Sequence, residues 1–251
     1  MTSSSSPLPA SDHTVWQNSE LANHFVETVR GAVPHAQDQI GMMLALLAQR
    51  ETPLVNFVDL GCGDGILGAA VLERFPESRG VFADFSKPML ENCRQKLASF
   101  GNRVAVADID YSQANWTENL AQQGPFDAVV SGYSIHHQPD DHKQTIYRDI
   151  FDLLSPGGWL VNIEHVAPAS ALSTELFNEE FTQRILTLKQ RQGEDTTYED
   201  VRKRFIDRAD KEANILAPAH LQADWLRDIG FEDADVYFQY LELAVIAGRR
   251  P

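Results

Sequence analysis

The chain has 251 residues, with 36 acidic against 21 basic side chains and a net charge of −15. That balance argues against nucleic acid as a substrate, because neutralising phosphates takes a basic surface. Two cysteines make neither a disulfide framework nor a metal set, and they point to a reducing, cytoplasmic setting.

Residues 1–13 are rich in Ser and Pro, and no basic start precedes an apolar run. They are expected to form a disordered tail and not a secretory leader. No stretch approaches the length of a membrane span. Trp16 to Arg30 and His35 to Arg50 carry helical patterns, parted by Gly31 and Pro34. Val55 to Leu60 is a short apolar run with the look of a buried strand, and it opens into Gly61-Cys62-Gly63-Asp64-Gly65. A helical pattern, Ile66 to Phe75, starts directly after. Strand, glycine turn and helix form the nucleotide site of many α/β proteins. The glycines let a ligand lie against the main chain, and the helix start adds N–H groups and partial positive charge. The dinucleotide fingerprint G-x-G-x-x-G/A fails here, since its sixth position is Ile66. Asp59, two residues ahead of Gly61, would repel a pyrophosphate and suit an ammonium or sulfonium group.

The next strand, Gly80 to Ala83, ends at Asp84 and Phe85. An acidic residue about twenty positions beyond the glycines typically accepts hydrogen bonds from a ribose diol. Ser86 reads as a helix N-cap with Pro88 in the first turn. A third strand, Arg103 to Ala107, runs into Asp108-Ile109-Asp110. The fourth, Phe126 to Ser131, runs into Gly132-Tyr133-Ser134-Ile135-His136-His137-Gln138. Ligands of open α/β sheets lie at such carboxyl ends. A helix from Asp141 to Leu154, a tight turn at Ser155-Pro156-Gly157-Gly158 and a fifth strand, Trp159 to Ile163, follow, and Glu164-His165 ends that strand. Ala169 to Ala217 interrupts the sheet with two helical patterns, Thr174 to Gln192 and Tyr198 to Asp210. Pro218 to Asp228 is a helix with Gly230 as its C-cap, and Val236 to Tyr240 with Leu243 to Ala247 reads as a closing hairpin. The alternation predicts an α/β fold with a mostly parallel sheet.

Several landmarks share one order: Asp59-Leu60-Gly61-Cys62-Gly63-Asp64-Gly65, then Asp84, Asp108, the strand ending at Ser131, and Leu153-Leu154-Ser155-Pro156-Gly157-Gly158. From about residue 50 to the end, this resembles the class I methyltransferases, which bind S-adenosylmethionine (SAM). The resemblance implies a Rossmann-like, seven-stranded, mostly parallel sheet with helices on both faces and an antiparallel last hairpin. It implies one methyltransferase domain over 14–251, with lid helices in 14–50, a cofactor core in 51–166, a helical cap in 167–217 and a closing helix and hairpin in 218–251. SAM contacts are then expected from Asp59, Gly61, Cys62, Gly63 and Gly65, from Asp84 and Phe85, and from Ser131 and Gly132 beside the sulfonium. Arg30 joins them from the lid, with Phe25 and His35 as further lid candidates. In the family pattern the acidic residue after the third strand takes the adenine amino group and the next amide meets the ring. That maps to Asp108 and Ile109, with Asp110 close enough to compete. A narrower likeness, in Val29 to Pro34, the insert around Tyr198 and Leu226 to Phe231, is to carboxy-SAM synthases, which bind SAM and prephenate. The glycine turn departs from their pattern and follows the ordinary methyltransferase form.

Methyl transfer from a sulfonium is an in-line displacement, so a protein mainly supplies alignment and a dry site. A hydroxyl or amine acceptor also gains from a base. His136 and His137 are the first candidates, Glu164 and His165 the second, and Tyr133 is placed to shape the pocket or orient the acceptor. Among Arg184, Arg191, Arg202, Arg204 and Arg208 of the insert, one is a candidate to meet an acceptor carboxylate. No metal is expected. The expected partner is a small-molecule acceptor, without nucleic acid or membrane, for a monomer or homodimer. The rival readings are a carboxy-SAM-synthase-like enzyme and a noncatalytic SAM-binding regulatory module.

Overall fold

The computed structural model describes residues 32–206 and 214–251. The expected helix Trp16–Arg30, with Phe25 and Arg30, lies outside the described residues, and so does Arg208. The chain runs through α1 (Ala36–Leu47), β1 (Asn56–Leu60), α2 (Ile66–Arg74), β2 (Arg79–Asp84), α3 (Lys87–Lys96), β3 (Val104–Asp108) and α4 (Glu118–Ala121). It continues through β4 (Phe126–Gly132), α5 (Asp140–Leu153), β5 (Leu154–His165), α6 (Ala171–Arg191), α7 (Tyr198–Val201), α8 (Ala219–Ile229), β6 (Glu232–Tyr240) and β7 (Leu243–Arg249). The strands form one seven-stranded sheet in the order β3-β2-β1-β4-β5-β7-β6. β1 pairs in parallel with both β2 and β4, so the strand order reverses between β1 and β4, the place where such sheets hold ligands. β7 runs antiparallel to both of its neighbours, as the expected closing hairpin requires.

The central strands are buried on both faces, which is why they read as continuous apolar runs and not as alternating ones. Val58 and Leu60 point into one core with Tyr147 and Ile150 of α5 and Leu226 of α8. Phe57, Phe82 and Val130 point into the other, with Met43 and Leu47 of α1 and Val71 and Leu72 of α2. Local signals end the helices where expected. Ser86 caps α3, its hydroxyl accepting from the Met89 N–H at 3.5 Å, and Gly230 ends α8 at a φ of 116°.

Three expectations change. The close helix–strand contact denied to position 66 is made two residues later by Gly68, where an added Cβ would sit 2.2 Å from the Phe82 ring. The Ser155-Pro156-Gly157-Gly158 turn is not a link ahead of the fifth strand but an irregularity inside it. Leu154 pairs with Phe126 and Trp159 with Ala128, so six residues of β5 face three of β4. Gly157, at a φ of 74°, makes the bend, and its N–H donates to the Arg250 carbonyl at 2.8 Å. The second insert helix opens as a single α-turn, α7, and continues as a π-turn at Arg202–Ile206, and the rest of its expected range, to residue 210, lies outside the described residues.

Candidate active site

The carboxyl ends of β1, β2 and β4 open into a cleft of about 1120 Å³. One wall is the glycine turn. Gly61 sits at a φ of 65°, and its N–H and that of Cys62 both donate to the Ala83 carbonyl, at 2.8 and 3.0 Å. An added Cβ on Gly61 would lie 1.9 Å from the Ser134 Oγ, so only glycine fits there. Asp59 is buried beneath the turn, and its Oδ2 accepts from the Gly68 N–H at 2.8 Å, which ties β1 to α2. Asp84 closes the turn from β2. Its oxygens accept from the Gly63 and Ser86 N–H groups, both at 2.8 Å. Burial raises the Asp84 carboxyl above its ordinary value, and these backbone donors oppose the rise.

Of the expected cofactor residues, Asp59, Gly61, Cys62, Gly63, Asp84, Phe85 and Gly132 line the cleft. Arg30 lies outside the described residues, and the structure puts the remaining four elsewhere. Gly65 is the N-cap of α2 and faces Leu97, Cys93 and Phe82. Ser131 is fully buried, its hydroxyl donating to the Leu60 carbonyl at 2.8 Å. Asp108 is exposed at the end of β3 and outside the cleft wall. Ile109 is buried, and its N–H is engaged by the Asp84 carbonyl at 3.0 Å, continuing the β2–β3 ladder. The wall is instead completed by Asp110 and Tyr111. α1 reaches the cleft through Ala36, Gln39 and Ile40, which share one of its faces. His35 is not among the lining residues. Its ring packs 4.4 Å from that of Tyr240, and its Nδ1 bonds Asp38.

The far wall carries the proposed acid–base groups. Tyr133 and His137 line the cleft. The His136 ring lies behind, its centroid 4.0 Å from that of His137, and its Nδ1 is 2.6 Å from Glu164 Oε1. Glu164 is buried. It also accepts from the His165 N–H at 2.9 Å and from Asn162 Nδ2 at 3.3 Å. Burial pushes its carboxyl up to about 7, against the pull of those donors. Burial likewise drives the His136 imidazole well below its usual value, helped by His165 and the Lys143 charge. A carboxylate that accepts from Nδ1–H leaves Nε2 as the basic nitrogen. His165 turns away to Glu242, at 2.9 Å. Sequence reading missed Gln39 and Tyr111. Gln39 shares the buried stripe of α1 with Met43, Leu46 and Leu47, so a lone polar residue on an apolar face was the available signal.

The cleft suits SAM on its own chemistry. A carboxylate has about four acceptor sites, which leaves Asp84 room for a sugar hydroxyl beside its backbone donors. Asp59 and Asp110 favour a cationic ligand, and none of the described lining residues is Arg or Lys. Among the described residues there is no group of three His, Cys, Asp or Glu side chains that could hold a metal ion. None of the described helices is long and apolar enough to cross a membrane.

Comparison with known proteins agrees. A family model described as a methyltransferase domain matches residues 57–158. The demethylmenaquinone methyltransferase of Lactococcus lactis is 32% identical over 124 residues, 49% of this chain and 47% of that protein. The carboxy-S-adenosyl-L-methionine synthase of Shewanella piezotolerans is 27% identical over 156 residues, 57% of this chain and 58% of that one. The chain thus spans about half the length of the curated relatives it matches. Human N-acetylserotonin methyltransferase, solved in complex with SAM, superposes with a TM-score of 0.62 at 14% identity, over 97% of this chain and 60% of that one. The glycine turn and the strand order agree with the methyltransferase-domain match over residues 57–158.

Proposed function

We propose that the chain transfers the methyl group of SAM to a hydroxyl or amine of a neutral small molecule, and that the His136–His137 pair receives the acceptor's proton. The observation that carries this reading is the pair itself. One imidazole is on the cleft wall, and the other is stacked behind it and bonded to a buried carboxylate. A base oriented by a carboxylate is the arrangement proton transfer needs. SAM, when bound, supplies an electrophilic methyl on a positively charged sulfur. The chain's own residues do the rest. Asp84 and the glycine turn hold the nucleoside, and Asp59 stabilises positive charge. Asp110 and the Tyr111 main chain meet the adenine edge, two residues on from Asp108 and Ile109, because the Ile109 amide is already engaged. Tyr133 and the face of α1 exclude water.

The neutrality of the acceptor follows from charge. Asp59, Asp84 and Asp110 line the cleft and no described cation does, while Arg184 and Arg202 of the cap are paired with Glu180 and Glu175. An anionic acceptor, such as carboxy-SAM synthases bind, meets repulsion here. A cytoplasmic setting fits the two buried free thiols, Cys62 and Cys93.

The test is to incubate the purified chain with SAM and a panel of neutral phenols, alcohols and amines, and to measure S-adenosylhomocysteine and methylated product by mass spectrometry. Turnover is expected with at least one acceptor. The double variant His136→Ala/His137→Ala is expected to lose about 10²–10⁴-fold in kcat while SAM still binds. Undiminished turnover by that variant refutes the base. SAM binding with no transfer to any acceptor supports a noncatalytic module instead, and carboxy-SAM formed in a parallel incubation with SAM and prephenate supports the other rival.

A further inference from the structure

Lys143 of α5 is 1% exposed, although lysine is almost never fully buried without partners. Its Nζ donates to Asp140 Oδ1 at 2.6 Å and to the Ile215 carbonyl. Ile215 belongs to the segment 214–217, by which the chain returns from the cap to the sheet. The Ile215 N–H donates to the His136 carbonyl at 2.9 Å, and the Asn214 side chain hydrogen-bonds the His136 imidazole. At its other end the Ala217 carbonyl accepts from the Ala167 N–H at 3.0 Å, just beyond β5. One ammonium therefore holds the segment that touches His136 at both its main chain and its ring. A surface ion pair does not require such burial, since Asp140 is itself 47% exposed.

We propose that Lys143 is a positioning residue, whose ammonium clamps the segment 214–217 over His136 and sets a positive charge beside the His136–Glu164 pair. This rests on the reading of the His136–His137 pair as the proton acceptor. The Lys143 charge lowers both partners: it favours the carboxylate of Glu164 and disfavours the imidazolium of His136. The other described titratable groups facing the pair are His137 beside it, His165 at the end of β5 with Glu242 behind it, Tyr111 and Tyr133 beyond the ends of β3 and β4, and Tyr147 and Asp140 on α5. Among these described residues Lys143 is the one ammonium. Its loss therefore moves the titration of the pair upward.

The experiment reads the Glu164 side-chain carboxyl by ¹³C NMR across pH in the full chain saturated with S-adenosylhomocysteine. Wild type is compared with Lys143→Arg, Lys143→Gln and Lys143→Met, and Glu164→Gln gives the assignment. The midpoint is expected to rise by about one pH unit in the Gln and Met variants, the size of effect a nearby charge exerts, and to hold in Lys143→Arg. Gln keeps a donor for the Ile215 carbonyl, so it decides the matter if Met does not fold. An unmoved midpoint in folded Lys143→Gln overturns the electrostatic role. Amide exchange at Ile215 reads the clamp. It is expected to speed up at least tenfold in the Met variant, or in Lys143→Ala where Met does not fold, and to hold in Lys143→Gln, which keeps the donor; a wild-type rate in the variant without a donor overturns it. Neither readout needs an acceptor. An unmoved titration beside a crippled His136→Ala/His137→Ala variant would remove Lys143 from the mechanism and leave the proposed transfer standing.

Discussion

Glu164 shows how a single buried residue can make stability and chemistry pull against each other. Its carboxyl rises from 4.5 to about 7, because no water replaces the solvation it lost. Between those two pH values the folded chain holds a proton that the unfolded chain has released. Its contribution to stability is therefore full below about pH 4.5 and is lost as pH rises through 7. The linkage is of order 3 kcal/mol, from about 1.4 kcal/mol per pKa unit. His136 acts in the opposite sense. Its imidazole is neutral when folded, so it contributes stability above its unfolded value near 6.5 and loses it as pH falls. Glu164→Gln removes the first effect and leaves the second. Urea unfolding at a series of pH values should show the variant gaining on wild type from pH 4.5 to 7, by an amount approaching 3 kcal/mol. A difference that stays flat over that range would mean that the carboxyl is ionised throughout. The ionised form is the one that orients His136, so the pH range in which the pair can accept a proton is the range in which wild type is losing this stability.

At the scale of elements, α1 is fastened to the sheet by one polar contact at the centre of the site. The Tyr133 hydroxyl donates to Gln39 Oε1 at 2.5 Å, and Gln39 Nε2 donates to the Pro34 carbonyl at 2.9 Å. Tyr133 is held at a φ of 51°, unusual for a residue other than glycine, and its N–H donates to the Ile163 carbonyl at 2.8 Å. Tyr133→Phe leaves a buried amide oxygen without that donor, which costs about 1–3 kcal/mol. Hydrogen exchange should then quicken in the first turn of α1 by about tenfold or more and stay unchanged in β4. Uniform acceleration would mean global destabilisation, and none would mean that apolar packing alone seats the helix. Elements of this kind were legible where local chemistry sets them. The runs at Val55–Leu60 and Phe126–Ser131 became buried strands, and Ser86 and Gly230 ended their helices as expected. Contacts set by a neighbour were not legible. The need for glycine at position 68 arises from Phe82 on β2, and the shift of the cleft wall from Asp108 to Asp110 arises from the ladder that takes the Ile109 amide. Lys143 is intermediate, because it lies on the buried stripe of α5 with Ile146, Tyr147 and Ile150, where a basic residue stands out in the sequence.

For the whole molecule, the sheet separates what binds from what holds. The cleft lies at the carboxyl ends of β1, β2 and β4, and a polar clasp lies at the opposite ends. There Arg50 donates to the main-chain carbonyls of Asp127 and Gly157, at 2.9 and 2.7 Å, and to Asp127 Oδ1 at 2.7 Å. Asp127 Oδ2 accepts from the Val55 and Asn56 N–H groups, at 2.7 and 3.0 Å. One ion pair thus gathers the entry to β1, the start of β4 and the bend in β5. The Arg50 side chain is 4% exposed, so Arg50→Met would leave Asp127 without its cation in a nearly dry place. Breaking a buried pair from one side typically costs about 3–5 kcal/mol, and Asp127 is 16% exposed, so the lower figure applies. Urea unfolding should therefore report a loss of about 3 kcal/mol. Calorimetry with SAM on the folded variant should give wild-type affinity, because none of these groups lines the cleft. Weakened SAM binding in a variant that remains folded would contradict that separation and mean that strain at one end of β1 and β4 is transmitted to the glycine turn at the other. Unchanged stability would mean that the backbone donors alone suffice to hold Asp127, and that the arginine is dispensable to the clasp.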